Sequence, residues 1–557
     1  MSVPRSNVAR HLRQAALECP DDLATKSPLS IGPDGKVVHM LRSFKSLDQE
    51  SDAAARVFHA EGITEGTRVL LAVRPGHDLI VGMFGLLKLG AVPIAIDPGM
   101  GWRSTEACIR RTQPEAIVGL RLATFLSRLP LATFRSLRIR LTVGTSRWRR
   151  QLQQCHSTSP RPLAEVSATA PAAILFTSGS TGAPKGVSYT HGMFDAQIEL
   201  VRETFGIQSG EVDMAMLPLF ALFNPALRMT TVTPLLDPSK PMAANPAPIV
   251  ATLLAEKVTT SFGSPAIWGK IADYCDARKI SLPSLRRLLI AGAPVSGELL
   301  AKLRVVAPQC LIHTPYGATE CLPATTIEST ELLGELRQRA LRGEGTCVGR
   351  PVKGVEVRII RETDGAITSI ASARLCATGE IGEIIVTGPS VTREYDRLPE
   401  ATRLAKIIDG EKVWHRMGDL GRLDAEGRIF FLGRRVERVR ASAGDLPTEV
   451  IEPAFRQHPQ VARCALIGLG TGNNQVPALV VEPKAGYFPV NSGERERFIE
   501  TLQAAAKDNP WASTVKVFVF QPALPVDVRH NAKIHRLRLA KEWTAKLGAN
   551  PLSNLKS

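Results

Sequence analysis

The stretch ILFTSGSTGAPKGVSYTH, residues 174–191, is the first specific signal in the sequence, because it joins a short apolar run to a loop of Ser, Thr and Gly that contains Lys185. The loop lacks the Walker pattern GxxxxGK[ST], but it offers similar chemistry. Glycines let backbone amides approach an anion, hydroxyls donate hydrogen bonds, and the lysine supplies a point charge. The residues that we predict to contact phosphate are Thr177, Ser178, Gly179, Ser180, Thr181, Gly182 and Lys185.

Helical and strand patterns alternate along the chain around this loop. Residues 47–62 and 77–90 have helical spacing, and each of these segments ends at a glycine. RVLLAV, residues 68–73, and VPIAID, residues 92–97, are short apolar runs typical of buried strands. Strands separated by helix-length segments predict an α/β fold with parallel sheets and crossover helices.

The domain organisation can be predicted from length and from a change of character along the chain. A chain of 557 residues is too long for one hydrophobic core, so we expect two or more domains. Residues 387–433 consist of short strands and turns, and a hairpin is predicted around residues 425–427. A polar, basic stretch follows, so we predict one domain over residues 1–434 and a second over residues 435–557.

Composition excludes several classes of protein. Hydrophobic residues make up 44% and charged residues 22% of the chain, as in an ordinary soluble enzyme. The nine cysteines are scattered without a CxxC pair, so we expect neither a disulfide framework nor a zinc site, and we predict a cytoplasmic location. The N-terminus has no signal-type apolar core. Lys88, Gly90 and Pro93 interrupt the most apolar region, so we predict a helix, a turn and a strand there and no membrane span.

The net charge of +16 is large, and arginines cluster within residues 135–150. A solvated basic face is the interpretation that we favour. An acidic protein partner, an anionic membrane surface and an anionic substrate remain alternatives. No nucleic-acid motif accompanies the charge, so we do not expect nucleic-acid binding.

The loop motif resembles the phosphate-binding signature of the adenylate-forming superfamily, which includes acyl-CoA synthetases, peptide-synthetase adenylation domains and firefly luciferase. TPYGATE, residues 314–320, resembles the superfamily's aromatic-Gly-x-Thr-Glu segment. The resemblance implies that Tyr316, followed by Gly317, stacks on adenine, that Thr319 contacts the phosphate region and that Glu320 holds Mg²⁺. A hard divalent ion bound between phosphates needs only one or two carboxylates, which agrees with this assignment.

Three further segments match the superfamily in the expected order. In residues 415–434, Asp419 resembles the aspartate that binds both ribose hydroxyls, and Arg434 resembles the arginine that follows it. AGAP resembles the loop beside adenine, and its implied nucleotide-binding residues are Gly292, Ala293 and Pro294. VRHNAKIHRLRLA, residues 528–540, resembles the C-terminal motif whose lysine, here Lys533, acts in adenylation.

The resemblance covers nearly the whole chain and implies both architecture and mechanism. It implies a large N-terminal domain of parallel-rich sheets with helices and a small β-barrel-like part, and a smaller, mobile α+β C-terminal domain that carries Lys533. The implied cofactors are ATP and Mg²⁺. A substrate carboxylate would attack the α-phosphorus while pyrophosphate leaves, and domain closure would exclude water. Lys185, Glu320 through Mg²⁺, and Lys533 would neutralise the repelling anions.

Departures from the superfamily pattern bear on the second half-reaction. Ala221 occupies the position of a histidine, and Val436 occupies a hinge position that is often Asp or Lys in acyl-CoA synthetases. These departures argue against thioester formation. Residues 222–241, 314–329 and 529–536 resemble a narrower group, the β-lactone synthetases of long-chain olefin biosynthesis.

That narrower resemblance implies a reaction and a substrate. Such enzymes activate a long-chain 2-alkyl-3-hydroxy acid, whose own 3-hydroxyl then attacks the adenylate carbonyl and expels AMP. The apolar segment of residues 220–232 would line an alkyl channel, although ordinary core packing explains any one of its residues equally well. No general base for the hydroxyl can be named from the sequence.

Two other functions stay open at this point. One is a long-chain fatty acyl-CoA or acyl-AMP ligase, and the other is a non-catalytic nucleotide-binding assembly subunit. The second is disfavoured because Lys185, Glu320, Asp419 and Lys533 are all present. The implied partners are other enzymes of the olefin pathway: a thiolase-like condensing enzyme, a reductase and a β-lactone decarboxylase.

Overall fold

The computed structural model describes residues 6–32, 37–176, 183–237, 243–527 and 533–547. Up to residue 313, helices and strands alternate as the sequence predicts. The strands are β1 (Leu23–Ile31), β2 (Val37–Ser43), β3 (Arg68–Ala72), β4 (Val92–Ala95), β5 (Ala116–Gly119), β6 (Ile139–Thr142), β7 (Pro171–Phe176), β8 (Gly186–Thr190), β9 (Val212–Asp213), β10 (Thr230–Val232), β11 (Thr260–Gly263), β12 (Arg287–Ile290) and β13 (Leu311–His313). The helices are α1 (Arg10–Glu18), α2 (Phe44–Ala60), α3 (His77–Lys88), α4 (Trp102–Thr112), α5 (Arg121–Leu126), α6 (Ser146–Gln154), α7 (His191–Phe205), α8 (Asn224–Leu227), α9 (Pro246–Ala255), α10 (Pro265–Arg278) and α11 (Gly297–Val306).

These strands form two sheets that are mainly parallel, which confirms the predicted α/β class. The first has the order β6-β5-β3-β4-β7-β8, and among its neighbours only β7 and β8 are antiparallel. The second has the order β13-β12-β11-β9-β10-β1-β2, and β1 and β2 form its antiparallel pair. The chain crosses between parallel neighbours through helices, as such connections require.

An antiparallel sheet of eight strands follows, in the place of the predicted barrel-like part. Its path is β14-β15-β16-β21-β20-β18-β17, and β19 pairs with β20. The predicted hairpin joins β20 to β21. The elements are β14 (Tyr316–Ala318), β15 (Cys321–Thr326), α12 (Ser329–Leu333), α13 (Glu335–Leu341), β16 (Thr346–Pro351), β17 (Glu356–Ile360), β18 (Gly382–Thr387), α14 (Pro399–Ala405), β19 (Lys406–Asp409), β20 (Lys412–Leu423) and β21 (Ile429–Arg434).

The remaining chain forms a small α+β unit. A hairpin of β22 and β23 precedes a sheet in which β25 lies between β24 and β26. The elements are β22 (Val439–Ala441), β23 (Gly444–Leu446), α15 (Glu452–Arg456), β24 (Val461–Leu469), β25 (Val476–Pro483), α16 (Ser492–Ala505), β26 (Val517–Phe520) and α17 (Arg536–Leu547). Phe430 and Leu432 of β21 share a hydrophobic cluster with Leu446 and Val450. The unit is therefore packed onto the antiparallel sheet, and the domain boundary after residue 434 and the mobility of this unit stay predictions.

Lys88 interrupts the most apolar region of the sequence, and its charge is buried and paired in the fold. It ends α3, its side chain is 0% exposed, and its Nζ donates to the Asp48 and Asp52 carboxylates at 2.6 and 2.7 Å. Arg13 bonds both carboxylates from the other side, at 2.7 and 2.8 Å. Burying a charge is costly unless it is paired, so this network fixes α3 against α1 and α2. Among the described residues, no helix has the length and apolar character needed to cross a membrane.

Candidate active site

A cavity of about 690 Å³ lies where β12 and β13 of the second sheet end, beside the antiparallel sheet and the C-terminal unit. The carboxyl ends of parallel strands are the usual place for ligands in open α/β sheets, and the volume suits a small-molecule ligand. The predicted site residues that line it are Gly292, Ala293, Pro294, Tyr316, Gly317, Thr319, Asp419, Arg434 and Lys533. The fold thus brings four separate motifs to one cavity.

Asp419 is the buried acceptor of this cavity. It pairs with Arg434 across β20 and β21 and is 2% exposed. Tyr316 Oη donates to Asp419 Oδ2 at 2.5 Å. Arg434 Nη1 lies 2.9 Å from Oδ1, but Oδ1 accepts no hydrogen bond from the described residues. Burial raises the pKa of Asp419, and Arg434, Tyr316 and Lys533 oppose that rise. The carboxylate therefore keeps an acceptor oxygen available inside the cavity.

Lys533 reaches the same cavity from the C-terminal unit. Its backbone forms a pair of hydrogen bonds with Asp527, at 2.9 and 3.1 Å. Arg536, at the start of α17, bonds the buried Glu452 carboxylate through two nitrogens, at 2.8 and 2.7 Å. These contacts hold the Lys533 segment against the unit, and the Lys533 charge is close enough to Asp419 to oppose the rise in the pKa of that carboxyl.

Glu320 and Lys185 belong to a second cluster that adjoins the cavity at Thr319. Glu320 is 7% exposed, and its Oε1 accepts a hydrogen bond from Tyr395 Oη at 2.6 Å. Lys185 Nζ lies 4.7 Å from the centroid of the Tyr395 ring. Tyr189 Oη donates to the Thr319 carbonyl, which fixes the turn between β14 and β15. The cluster combines one buried carboxylate with one cation at the edge of the cavity.

Lys406 is a member of this cluster that the sequence analysis missed. It begins β19, is 4% exposed, and its Nζ lies 5.8 Å from the Tyr395 ring centroid. Its Nζ donates to Thr392 Oγ1 at 3.2 Å, and no carboxylate of the described residues forms an ion pair with it. Burial lowers the pKa of Lys406 to about 8. The available signal was a lysine within the apolar run LAKII, residues 404–408.

The residues Thr177, Ser178, Gly179, Ser180, Thr181 and Gly182 lie outside the described residues. Lys185 directly precedes β8, and Phe176 ends β7 on the other side of the loop. Phosphate binding by the loop itself therefore stays a prediction.

The two residues that depart from the acyl-CoA synthetase pattern differ in exposure. Ala221 is 8% exposed, within a short 3-10 helix over Pro218–Phe223, and Val436 is 51% exposed. His191, at the end of the loop motif of residues 174–191, does not supply a general base. His191 Nδ1 accepts a hydrogen bond from the Val8 amide at 3.1 Å, and burial lowers the pKa of His191 to about 4, so this ring is neutral and structural.

The fold and cavity define the class of adenylate-forming enzymes. An amide bond synthetase from Marinactinospora thermotolerans superposes with a TM-score of 0.76 over 96% of this chain and 99% of that chain, at 21% identity. Residues 13–396 match the model of the AMP-binding enzyme family, and the chain belongs to that family. It is 42% identical to an olefin β-lactone synthetase of Xanthomonas campestris over 97% of both chains. It is 40% identical to an olefin β-lactone synthetase of Stenotrophomonas maltophilia over 97% of this chain and 98% of the relative. The predicted resemblance is confirmed.

Proposed function

We propose that this enzyme converts a long-chain 2-alkyl-3-hydroxyalkanoic acid into a β-lactone, using ATP and releasing AMP and diphosphate. The observation that carries the proposal is the 42% identity, over nearly the full length of both chains, with an olefin β-lactone synthetase. The proposed setting is the cytoplasm. The proposed pathway neighbours are a thiolase-like condensing enzyme, a reductase and a β-lactone decarboxylase that consumes the product.

The first step joins the acid to AMP. A carboxylate oxygen bonds to the α-phosphorus of ATP, the bond from that phosphorus to the bridging oxygen breaks, and diphosphate leaves. Asp419 would accept hydrogen bonds from the ribose hydroxyls, since its buried Oδ1 is ion-paired with Arg434 but accepts no hydrogen bond from the described residues. Tyr316 would border the adenine, and Lys533 would bridge the carboxylate and the α-phosphate.

Cations have to offset the repulsion between the acid and the triphosphate. Lys185 and Lys533 are candidates on two sides of the site. Glu320 fits a magnesium ion because it is a buried carboxylate beside the cavity, and Mg²⁺ uses one or two carboxylates together with substrate phosphates. The described residues contain no group of three His, Cys, Asp or Glu side chains that could hold a metal ion. When bound, Mg²⁺ neutralises charge on the phosphates.

The second step closes the ring within the acyl-adenylate. The 3-hydroxyl oxygen bonds to the acyl carbon, the bond from that carbon to the AMP oxygen breaks, and the hydroxyl proton passes to solvent. Holding both groups on one molecule supplies a high effective concentration, which partly offsets ring strain. No second substrate is needed, which agrees with Ala221 and Val436 in place of the residues of thioester-forming relatives.

The proposal is tested by incubating the protein with ATP, Mg²⁺ and a 2-alkyl-3-hydroxy acid, with and without coenzyme A. Mass spectrometry should detect a product one water lighter than the acid in both cases. A thioester that depends on coenzyme A would contradict the proposal. Release of neither AMP nor diphosphate would instead favour the non-catalytic assembly subunit.

Replacing Asp419 with Asn is expected to raise KM for ATP by about 10- to 100-fold. Hydrogen bonds to a charged acceptor contribute about 1.5–3 kcal/mol, and 1.4 kcal/mol corresponds to a factor of ten. Steady-state kinetics at varied ATP concentration measure the effect. Asp409→Asn, on neighbouring β19, removes the same charge outside the cavity and should leave KM unchanged. A KM in Asp419→Asn equal to that of the wild type would exclude Asp419 from nucleotide binding.

Replacing Lys406 with Met is expected to raise the melting temperature and to lower kcat/KM for ATP by about tenfold or more. A buried ammonium with no ion pair among the described residues costs stability, so removing it relieves that cost. The same cation would attract the phosphates beside Glu320. Calorimetry and initial rates measure the two effects, with Lys412→Met at the exposed start of β20 as control. A lower melting temperature with unchanged kcat/KM would mean that Lys406 is purely structural.

A further inference from the structure

A first apolar cavity, of about 140 Å³, adjoins the cavity of about 690 Å³ that contains Asp419 and Lys533. We call the larger space the nucleotide cavity, because the proposed function assigns ATP to it. The two share Thr319, Phe220 and Leu322 as a common wall. Beyond that wall the lining comes from α3, through residues such as Leu87, and from α8, through Ala226. The volume is close to the ~150 Å³ of an engineered apolar cavity that binds benzene. It therefore has room for about six carbons without rearrangement.

A second apolar cavity, of about 50 Å³, leaves the nucleotide cavity in another direction. It shares Phe220 and Leu322 with the nucleotide cavity, as the first apolar cavity does, and also shares Phe262. Its own lining includes Leu227 and Met229. Its volume of about 50 Å³ is well under half of the 140 Å³ of the first apolar cavity, so this cavity is much the smaller of the two.

All three cavities meet at Phe220 and Leu322. Phe220 stacks on Phe262 with ring centroids 3.7 Å apart, and Phe223 lies between the two apolar cavities and lines both. The two apolar cavities, called the arms below, therefore adjoin the cavity that holds Asp419 and Lys533, and Phe220 and Leu322 line all three. A straight-chain acid needs one apolar channel, whereas an acid branched at carbon 2 needs two that diverge next to the carboxylate.

Gln197 brings a buried polar side chain to the place where the two arms adjoin. Gln197 lines both apolar cavities and is 4% exposed. Its Nε2 donates to the Leu322 carbonyl at 2.7 Å, while its Oε1 is buried and accepts no hydrogen bond from the described residues. A buried acceptor without a donor is costly, and a ligand hydroxyl would satisfy it. In a 2-alkyl-3-hydroxy acid the two alkyl branches diverge at carbon 2, and the hydroxyl is on carbon 3, one bond away.

We propose that the two apolar cavities receive the two alkyl branches of the substrate separately, and that Gln197 Oε1 accepts the hydrogen bond of the 3-hydroxyl. The larger cavity takes the branch that is tolerated at greater length. This inference rests on the proposed function, because it assumes that the occupant is a hydroxy acid with two alkyl branches.

The test uses neighbouring residues of α8 that line different arms. Ala226→Leu narrows the first cavity, and Leu227→Phe narrows the second. Diphosphate release is measured for two series of 2-alkyl-3-hydroxy acids, one with the 2-alkyl branch lengthened and one with the 3-alkyl branch lengthened. We expect each variant to lose at least tenfold in kcat/KM for long members of one series only, and the two variants to affect different series. Acids with two short branches are the control for folding.

Variants that enlarge a cavity distinguish a steric effect on the substrate from a failure of the protein to fold. Leu87→Ala and Leu227→Ala should extend the tolerated length of the branch that the corresponding narrowing variant shortens. If both arms' variants affect the same series, or affect both series equally, the assignment of one branch to each cavity is wrong. If the wild-type enzyme releases diphosphate but forms no lactone, the proposed function is wrong. The branch preferences can still be measured from the diphosphate release in that case. Absence of release from every acid would overturn both.

The hydroxyl contact has its own readout. Gln197→Met should reduce by about tenfold the preference of the enzyme for a 3-hydroxy acid over the same 2-alkyl acid without the hydroxyl. A purely structural role would lower kcat/KM for both acids by the same factor, and that outcome would refute the contact. Gln197→Glu, which keeps an acceptor at this position, should retain the preference better than Gln197→Met.

Discussion

Replacing Lys533 with Ala is expected to lower the rate of adenylation by at least 10²- to 10³-fold while leaving ATP binding largely intact. Lys533 lines the cavity with Asp419, and its ammonium is one of the charges that oppose the rise in the Asp419 pKa caused by burial. A cation aimed at charge that develops in the transition state contributes mainly to the rate, and loss of one such group costs this much in other enzymes. Adenine, ribose and the terminal phosphates would be held by other residues.

Diphosphate release and calorimetric titration with ATP measure the two effects of this change. Lys541→Ala is the matched control, because Lys541 lies on adjacent α17 with an exposed side chain. Turnover equal to that of the wild type would remove Lys533 from the mechanism. A loss of ATP binding as large as the loss of rate would assign Lys533 to binding in place of the transition state.

Replacing Lys88 with Met is expected to lower the free energy of unfolding by about 3–5 kcal/mol. The change leaves the Asp48 and Asp52 carboxylates buried with Arg13 as their main cation, and breaking a buried charge network from one side costs about this much. Domains have a total stability of only about 5–15 kcal/mol, so the loss is large. Burial alone lowers the pKa of Lys88, and the two carboxylates oppose that shift.

Chemical denaturation of wild type and variant measures this loss. Lys45→Met is the control, since Lys45 is exposed on neighbouring α2. A change below about 1 kcal/mol would mean that the network is no more than a solvated surface pair. Kinetics at low temperature, where both proteins are folded, should show similar turnover, because Lys88 lies outside the cavity.

The pairing of Asp419 with Arg434 could be predicted from the sequence only in part. The turn at residues 425–427 predicts the hairpin of β20 and β21, and the pairing of Leu423 with Ile429 follows from that turn. Continuing this register would place Asp419 opposite Gly433. A bulge between Leu420 and Gly421 shifts the pairing by one residue and brings Arg434 opposite Asp419. Nothing in the sequence marks that bulge, so the ion pair at the centre of the cavity could not be derived from it.

The cluster around Glu320 could not be predicted for a different reason. Tyr395 reaches Glu320 because the segment before α14 pairs with β8 through a bridge between Val187 and Tyr395. Lys406 joins the cluster because β19 pairs with β20. The contacts of Tyr395 link residues far apart in the chain, whereas β19 and β20 form a local hairpin. The position of Lys406 beside Tyr395 still depends on how that hairpin packs in three dimensions, for which periodicity gives no signal.

The apolar segment of residues 220–232 was predicted to line an alkyl channel, with ordinary core packing as the alternative. Phe220, Phe223 and Met229 line the apolar cavities. The contribution of α3 through Leu87 was not predicted, because its apolar pattern is equally typical of a buried helix.

The placement of Ala226 and Leu227 has a consequence for the evolution of product spectra. These residues are adjacent in the chain, yet each lines a different apolar cavity, and neither lines the nucleotide cavity. If each cavity receives one branch, as proposed above, single codon changes at two neighbouring positions would alter the accepted lengths of the two branches one at a time, without changing the lining of the nucleotide cavity. Under that assignment, α8 offers a short mutational route from one mixture of branch lengths to another.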